Sequence, residues 1–68
     1  MYYLKEETKA KLLQYKFTFV ASEIGITSQK LGRIVKKNER CLRLTAYALT
    51  KFLDSSKNIE DFFIYEEE

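Results

Sequence analysis

The feature that most constrains this chain is a glycine, Gly25, placed between two short segments of helical period within residues 17–37. Glycine adopts the left-handed backbone conformation of a sharp turn between helices at little cost. Ala21 stands four residues earlier, on the same helical face, where two steeply crossing helices leave room for little more than a methyl group. The stretch is therefore predicted to form two helices joined by a tight turn.

Apolar residues recur around this glycine at positions that would face a shared core. They are Val20, Ile24, Ile26, Leu31 and Ile34. The helix before the turn is predicted from Phe17 or Thr18 to Ile24. The helix after the turn is predicted over residues 28–37, with Thr27 as its N-cap. Phe17 and Phe19 are predicted to contact the core or the first helix of the chain, and an exposed Phe19 would indicate a partner surface.

The spacing of Ala21, Gly25, Ile26, Leu31 and Ile34 resembles the helix-turn-helix of Cro and cI-type phage repressors and their bacterial relatives. Residues 49–53 and 58–63 resemble the helices that follow in this family, so the resemblance covers about residues 16–63. It implies one all-α, lambda-repressor-like domain, residues 1–68, with about five short helices and the helix-turn-helix at residues 17–37. Lys16 and Phe17 depart from the family pattern, which has a phosphate-contacting glutamine and a capping Thr or Ser there. That phosphate contact is therefore not implied here.

The resemblance also implies which residues would touch double-stranded DNA. Base edges would be read by Ser28, Gln29, Lys30 and Arg33. Glutamine pairs bidentately with adenine and arginine with guanine, whereas Lys30 is expected to reach a base or the phosphate beside it. Phosphates would be held by Thr27, Lys36, Lys37, Asn38, Arg40 and Arg43. Gly32 is predicted to face outward, either permitting close approach of DNA or as a tolerated imperfection of the helix.

The charges are distributed unevenly along the chain. Residues 28–51 contain seven basic residues and one acidic residue, whereas residues 52–68 contain one basic and six acidic residues. A field of one sign over part of a small domain attracts polyanions there. Solvated helix faces would give the same charge run, but the basic cluster begins on the helix that would enter a DNA groove.

The rest of the chain is predicted to complete one core. A first helix is expected from about Lys5 to Tyr15, with Leu12, Leu13 and Tyr15 turned inward, after a leading arm that contains Tyr2 and Tyr3. Further helices are expected over residues 44–54 and from Asn58 onward, with Asn58 as an N-cap. The predicted core consists of Val20, Ala21, Ile24, Ile26, Leu31, Ile34, Leu49, Phe52, Leu53, Ile59 and Phe62.

A homodimer is predicted, because one recognition helix contacts too few base pairs for tight, selective binding. Phe63, Ile64 and Tyr65 are the predicted interface, and their composition suits a short strand that pairs across a two-fold axis. The alternative is that this run folds back and covers the chain's own core. Residues 66–68 are predicted to form a frayed acidic tail.

Catalysis, metal binding and cofactor binding have little support in the sequence. There is no histidine and only one cysteine, so no Ser-His or Cys-His pair and no zinc ligand set can form. Cys41 is expected to be a buried, inert thiol. No apolar run reaches the length of a membrane span and no signal peptide is recognised, so a cytoplasmic protein without a small-molecule ligand is expected.

Two alternatives to a Cro-like transcriptional repressor remain open at this point. One is an architectural or directionality factor for recombination, which would bend DNA, although no Gly-linked hairpin for a wing is recognised. The other is a small phage-type inhibitor that binds a protein partner through Phe17, Phe19 and the acidic end. Binding to a DNA site would distinguish a repressor from such an inhibitor.

Overall fold

The structure, a computed structural model, describes residues 1–67. These residues form five helices and two strands. In chain order they are β1 (Tyr2–Leu4), α1 (Glu6–Leu12), α2 (Phe17–Ile24), α3 (Ser28–Lys36), α4 (Arg43–Leu53), α5 (Ile59–Phe62) and β2 (Phe63–Tyr65). The prediction of a mostly helical fold is confirmed, but the all-α prediction is wrong because β1 and β2 form a small sheet.

The sheet joins the two ends of the chain. Its antiparallel register places Tyr2 opposite Tyr65, Tyr3 opposite Ile64 and Leu4 opposite Phe63. Beyond the strands, the Met1 amino group donates to Glu66 O at 3.0 Å and Glu66 N–H donates to Met1 O at 2.7 Å. Both ends carry the aromatic and β-branched residues that favour strands. The arm predicted around Tyr2 and Tyr3 is therefore extended, and it pairs with the distant end of the chain.

Helix α1 is shorter than predicted and turns a different set of residues inward. Leu12 is fully buried, as predicted, whereas Leu13 is 57% exposed and Tyr15 is 42% exposed. The helix ends at Leu12, and successive residues of a helix do not share a face, so Leu13 points away from the core. Thr8, one turn before Leu12, is buried instead, and its hydroxyl donates to Phe62 O at 2.9 Å.

The tight turn between α2 and α3 has the predicted geometry. Gly25 has φ of 81°, in the left-handed region. Its N–H and that of Ile26 both donate to Ala21 O, at 2.8 and 3.0 Å. Ala21 is 2% exposed, and Thr27 caps α3 by accepting from Lys30 N–H at 3.1 Å. The glycine, the small residue and the cap each have the local role that was predicted for them.

Helices α4 and α5 close the core from the other side. Along α4, Leu49 is buried as predicted, and Ala46 and Thr50, which were not in the predicted core, are buried beside it. Thr50 is tolerated there because its hydroxyl donates to Ala46 O at 2.8 Å. At the start of α5, Asn58 N–H donates to Asp61 Oδ2 at 2.8 Å.

The core contains most of the predicted residues and several that were not predicted. Val20, Ala21, Leu31, Ile34, Leu49, Ile59 and Phe62 are buried, and Ile24, Ile26, Phe52 and Leu53 are partly buried against them. Tyr2, Leu4 and Phe63 join the core from the sheet.

Among residues 1–67, no helix combines the length and apolar composition needed to cross a lipid bilayer.

Candidate functional site

The exposed face of α3 carries two of the four residues predicted to read bases. Leu31, Ile34 and Val35 are buried on one side of the helix. Gln29 and Arg33 are exposed, and because they are four residues apart they lie one above the other on the same face. This face presents an amide and a guanidinium side by side.

The other side of α3 faces α2 more closely than predicted. A Cβ built on Gly32 would lie 4.0 Å from Phe17 Cδ2, and Gly32 is half-buried. Lys36 Nζ lies 5.5 Å from the centroid of the Phe17 ring. Gly32 and Ser28 are both half-buried, so this part of the predicted outward face of α3 is only partly exposed.

Lys30 and Arg33 share one carboxylate, that of Glu39. Lys30 Nζ donates to Glu39 Oε2 at 2.7 Å, and Arg33 Nε donates to Glu39 Oε1 at 2.8 Å. These hydrogen bonds, with that from Lys30 the stronger influence, hold the pKa of the Glu39 carboxyl below its ordinary value of 4.5. Glu39 therefore carries a full negative charge at neutral pH beside the predicted base-reading surface.

The backbone after α3 explains why Glu39 lies there. Asn38 has φ of 57°, a left-handed conformation that asparagine tolerates better than most residues. The chain consequently reverses, and Glu39 N–H donates to Arg33 O at 3.1 Å. Asn38 Oδ1, however, is buried without a hydrogen-bond partner in residues 1–67, and Asn38 as a whole, a predicted phosphate ligand, is half-buried.

Arg40, another predicted phosphate ligand, is held by the end of the chain. Its Nε and Nη2 donate to the two carboxylate oxygens of Glu66, at 2.8 and 2.9 Å. Its guanidinium also lies 4.0 Å from the centroid of the Tyr3 ring. Glu66 is thus fixed by Arg40 and Met1, so the prediction of a frayed tail is wrong for Glu66, and Glu68 lies outside the described residues.

Arg43 is the first residue of α4 and contacts strand β1. Its Nη1 donates to the Tyr2 hydroxyl at 3.2 Å. With Tyr47, Lys51 and the start of α5 it lines an open cavity of about 260 Å³. The basic residues predicted as one phosphate-binding group therefore divide among the end of α3, the segment that follows it and the start of α4.

The remaining cations at the end of α3 are Lys36 and Lys37. Both are exposed, and neither forms an ion pair with any carboxylate of residues 1–67. Thr27, at the opposite end of α3, is exposed, and its hydroxyl oxygen already accepts the capping hydrogen bond from Lys30. Two exposed cations without a carboxylate partner in the described residues therefore lie at the C-terminal end of α3.

The three predicted dimer residues differ in their exposure. Phe63 is 2% exposed and belongs to the chain's own core, so its prediction as an interface residue is wrong. Ile64 and Tyr65 are 40% and 59% exposed, although the Tyr65 ring packs edge-on against Tyr2 with centroids 5.2 Å apart. Only the last two side chains are accessible to a partner.

The residues that could carry chemistry are sparse. Within the described part of the chain, no group of three His, Cys, Asp or Glu side chains comes together to hold a metal ion. Cys41 is 2% exposed, and burial raises the pKa of its thiol to about 11. The Cys41 thiol is therefore protonated at neutral pH and a poor nucleophile.

Sequence reasoning missed the two carboxylates that organise the basic surface, Glu39 and Glu66. Glu39 was detectable as the single acid within a run of seven cations. No local signal indicated Glu66, because its partner Arg40 lies 26 residues away.

Comparison with known proteins adds no identification: no protein-family model, curated protein or solved structure matches this chain.

Proposed function

We propose that this chain is a sequence-specific regulator that binds double-stranded DNA, a small Cro-like repressor with α2 and α3 as its helix-turn-helix. The observation that carries the proposal is that Gln29 and Arg33 are both exposed on one face of α3, opposite a fully buried apolar face. An α-helix fits the major groove of DNA. Helix α3 is the one that would enter it.

The chemistry of the exposed pair supports this proposal. A glutamine amide offers a donor and an acceptor that match N6 and N7 of adenine, and a guanidinium matches O6 and N7 of guanine. The two side chains are one helical turn apart, so they would contact neighbouring base pairs. Lys36 and Lys37 follow at the end of α3, where they would hold the DNA phosphates without reading sequence.

A homodimer completes the proposal, because one recognition helix covers too few bases for selectivity. Strand β2 lies at the edge of the described sheet. Across the sheet, Glu66 N–H donates to Met1 O and Lys5 N–H donates to Phe62 O. Hydrogen-bonded and non-hydrogen-bonded pairs alternate along an antiparallel ladder, so the N–H and C=O of Tyr65 point away from β1. A second copy could pair with this edge, placing half-sites one helical turn, roughly 34 to 36 Å, apart.

Selection of duplexes from a random pool tests the proposal directly. The wild-type protein should enrich one two-fold symmetric sequence. Gln29→Ala and Arg33→Ala should each cost about 1 to 3 kcal/mol on that sequence and relax its preference at distinct base pairs.

Lys37→Ala should instead weaken binding to all sequences and lower the slope of log K against log salt by about 0.9. Lys57→Ala removes the same charge from an exposed loop between α4 and α5 and is the matched control. A pool that shows no enrichment would contradict the proposal, as would equal effects of Lys37→Ala and Lys57→Ala on the salt slope.

The dimer is tested separately by sedimentation over a range of concentrations. Ile64→Asp places a charge on an exposed strand residue, and Leu13→Asp is its control on α1, where Leu13 is also exposed. The first variant should be monomeric and the second should behave as the parent. A parent that is monomeric on its DNA site would contradict the dimer.

One observation favours a second candidate function, binding to a protein partner. Phe19 is 52% exposed and lies edge-on to Phe52, with ring centroids 5.9 Å apart. Tyr15 packs against the same Phe52 ring at 5.3 Å. Exposed aromatic clusters are typical of protein interfaces. This candidate requires that the chain retain no DNA site, so the same selection experiment distinguishes it.

A further inference from the structure

Glu39 forms an unusually complete set of contacts for a surface carboxylate. Each of its two oxygens accepts a hydrogen bond from a different cation of α3, at 2.7 Å from Lys30 and 2.8 Å from Arg33. Its backbone N–H is bonded to the carbonyl oxygen of Arg33 at 3.1 Å. The Glu39 side chain is 32% exposed, so the carboxylate is partly shielded from water.

The segment that carries Glu39 is itself restrained. Asn38 holds the left-handed turn, and Arg40 Nη1 donates to the Asn38 carbonyl oxygen at 2.7 Å. Arg40 is in turn fixed by Glu66. The carboxylate is therefore presented to Arg33 by a loop whose backbone is bonded on both sides, which limits the entropy lost in forming the pair.

The contact uses one particular donor of Arg33. A guanidinium has five N–H donors in a fixed planar fork, one on Nε and four on the two terminal nitrogens. Glu39 takes the Nε donor, and no group in residues 1–67 accepts from Nη1 or Nη2. The terminal edge of the fork, which can pair bidentately with O6 and N7 of guanine, remains available.

We propose that Glu39 is a positioning residue for DNA recognition: it holds Arg33 through Nε so that Nη1 and Nη2 face a guanine, and its charge repels phosphate from the same surface. This inference rests on the proposed DNA-binding function. Because Arg33 is already oriented, its rotamer entropy is lost on folding rather than on binding. Because the negative charge offsets Lys30 and Arg33, non-specific attraction to the DNA backbone is weaker.

The two effects of Glu39 separate in two variants. Glu39→Ala removes both the acceptor and the charge, whereas Glu39→Gln removes the charge and keeps an oxygen that can accept from Arg33 Nε. Glu7→Gln removes a charge from an exposed residue of α1 and is the control. Thermal unfolding of each variant shows that it is folded before binding is measured.

The experiment measures affinity by fluorescence anisotropy at one salt concentration for three duplexes. They are the selected site, the site with the guanine assigned to Arg33 changed to adenine, and an unrelated sequence. The assigned guanine is the one at which Arg33→Ala loses discrimination. Glu39→Ala should reduce discrimination against adenine by about tenfold, within the range of a bidentate contact, and should raise affinity for the unrelated duplex.

Glu39→Gln should raise non-specific affinity while retaining most of the discrimination, and Glu7→Gln should change neither. In the Arg33→Ala background, Glu39→Ala should have no further effect on discrimination, because the group that it positions is absent. Equal gains in affinity for all three duplexes would overturn the positioning role and leave only a charge effect. A wild-type protein with no preferred site would overturn the proposed function itself, which is a different result.

Discussion

The Thr8 hydroxyl donates a hydrogen bond at 2.9 Å to the carbonyl oxygen of Phe62, which lies 54 residues later in the chain. Lys5 N–H donates to the same oxygen at 3.1 Å. Phe62 is the last residue of α5 and directly precedes β2. One carbonyl oxygen therefore joins the start of the chain to its end, in the interior where the sheet meets the helices.

We expect Thr8→Val to lower the free energy of unfolding by about 0.5 to 1.5 kcal/mol, the usual net contribution of a hydrogen bond. Valine keeps the shape, so little is lost in packing. Thr50→Val is the matched control, since Thr50 is equally buried but bonds only to Ala46 O in its own helix. Urea unfolding measures the free energy of unfolding of both variants. Equal losses would show that the hydrogen bond from Thr8 to Phe62 O stabilises the fold no more than a bond within one helix does.

The two glycines are expected to respond to alanine in opposite directions. Gly32→Ala should stabilise the protein by about 0.5 to 1 kcal/mol, because glycine is costly within a helix and the added Cβ would meet Phe17 at an ordinary contact distance of 4.0 Å. Gly25→Ala should destabilise the protein by about 1 to 2 kcal/mol, the cost of placing alanine in the left-handed conformation. This cost is conformational, because a Cβ added at Gly25 would meet no other atom within 4 Å. Thermal unfolding tests both, and a shift of the same sign would contradict these assignments.

The contact between Arg40 and Glu66 should make stability depend on pH. The hydrogen bond from Arg40 lowers the pKa of the Glu66 carboxyl below its ordinary value of 4.5. The contribution of this contact to the free energy of unfolding is therefore fully present above pH 4.5. It is lost as the pH falls through the lower pKa that Glu66 has in the folded protein. Glu66→Gln should lower the melting temperature at neutral pH but not in strong acid.

Glu67→Gln is the control for this contact, because Glu67 is exposed and forms no ion pair with any residue of the described chain. It should leave the melting temperature unchanged at both pH values. A loss for Glu66→Gln that persists in strong acid would mean that the side chain acts through packing rather than through its charge.

Cys41 should be unreactive while the protein is folded. Its thiol is buried and its pKa is raised to about 11, so both access and the thiolate fraction are low at pH 8. A thiol-specific disulfide reagent should label the folded protein far more slowly than the protein unfolded in guanidinium. Labelling at the same rate in both states would contradict the burial of this residue.

Much of the helical part of the fold was predictable, because its signals are local. The left-handed turn at Gly25, the small residue Ala21 and the cap at Thr27 each depend on neighbours within four residues, which the sequence displays directly. The buried face of α3 likewise follows from helical period. The pairing of Gln29 and Arg33 on its exposed face needed nothing beyond that period.

The sheet and the ion pair between Arg40 and Glu66 were decided only by tertiary structure. The strand character of Phe63, Ile64 and Tyr65 was visible, but its partner could be a second chain or any distant segment, and only folding brings Tyr2, Tyr3 and Leu4 beside it. The same holds for the charges: Glu66 reaches Arg40 because the sheet delivers it there. Local sequence determines which helices form and, for α3, which face is buried, whereas contacts between distant residues depend on how the whole chain closes.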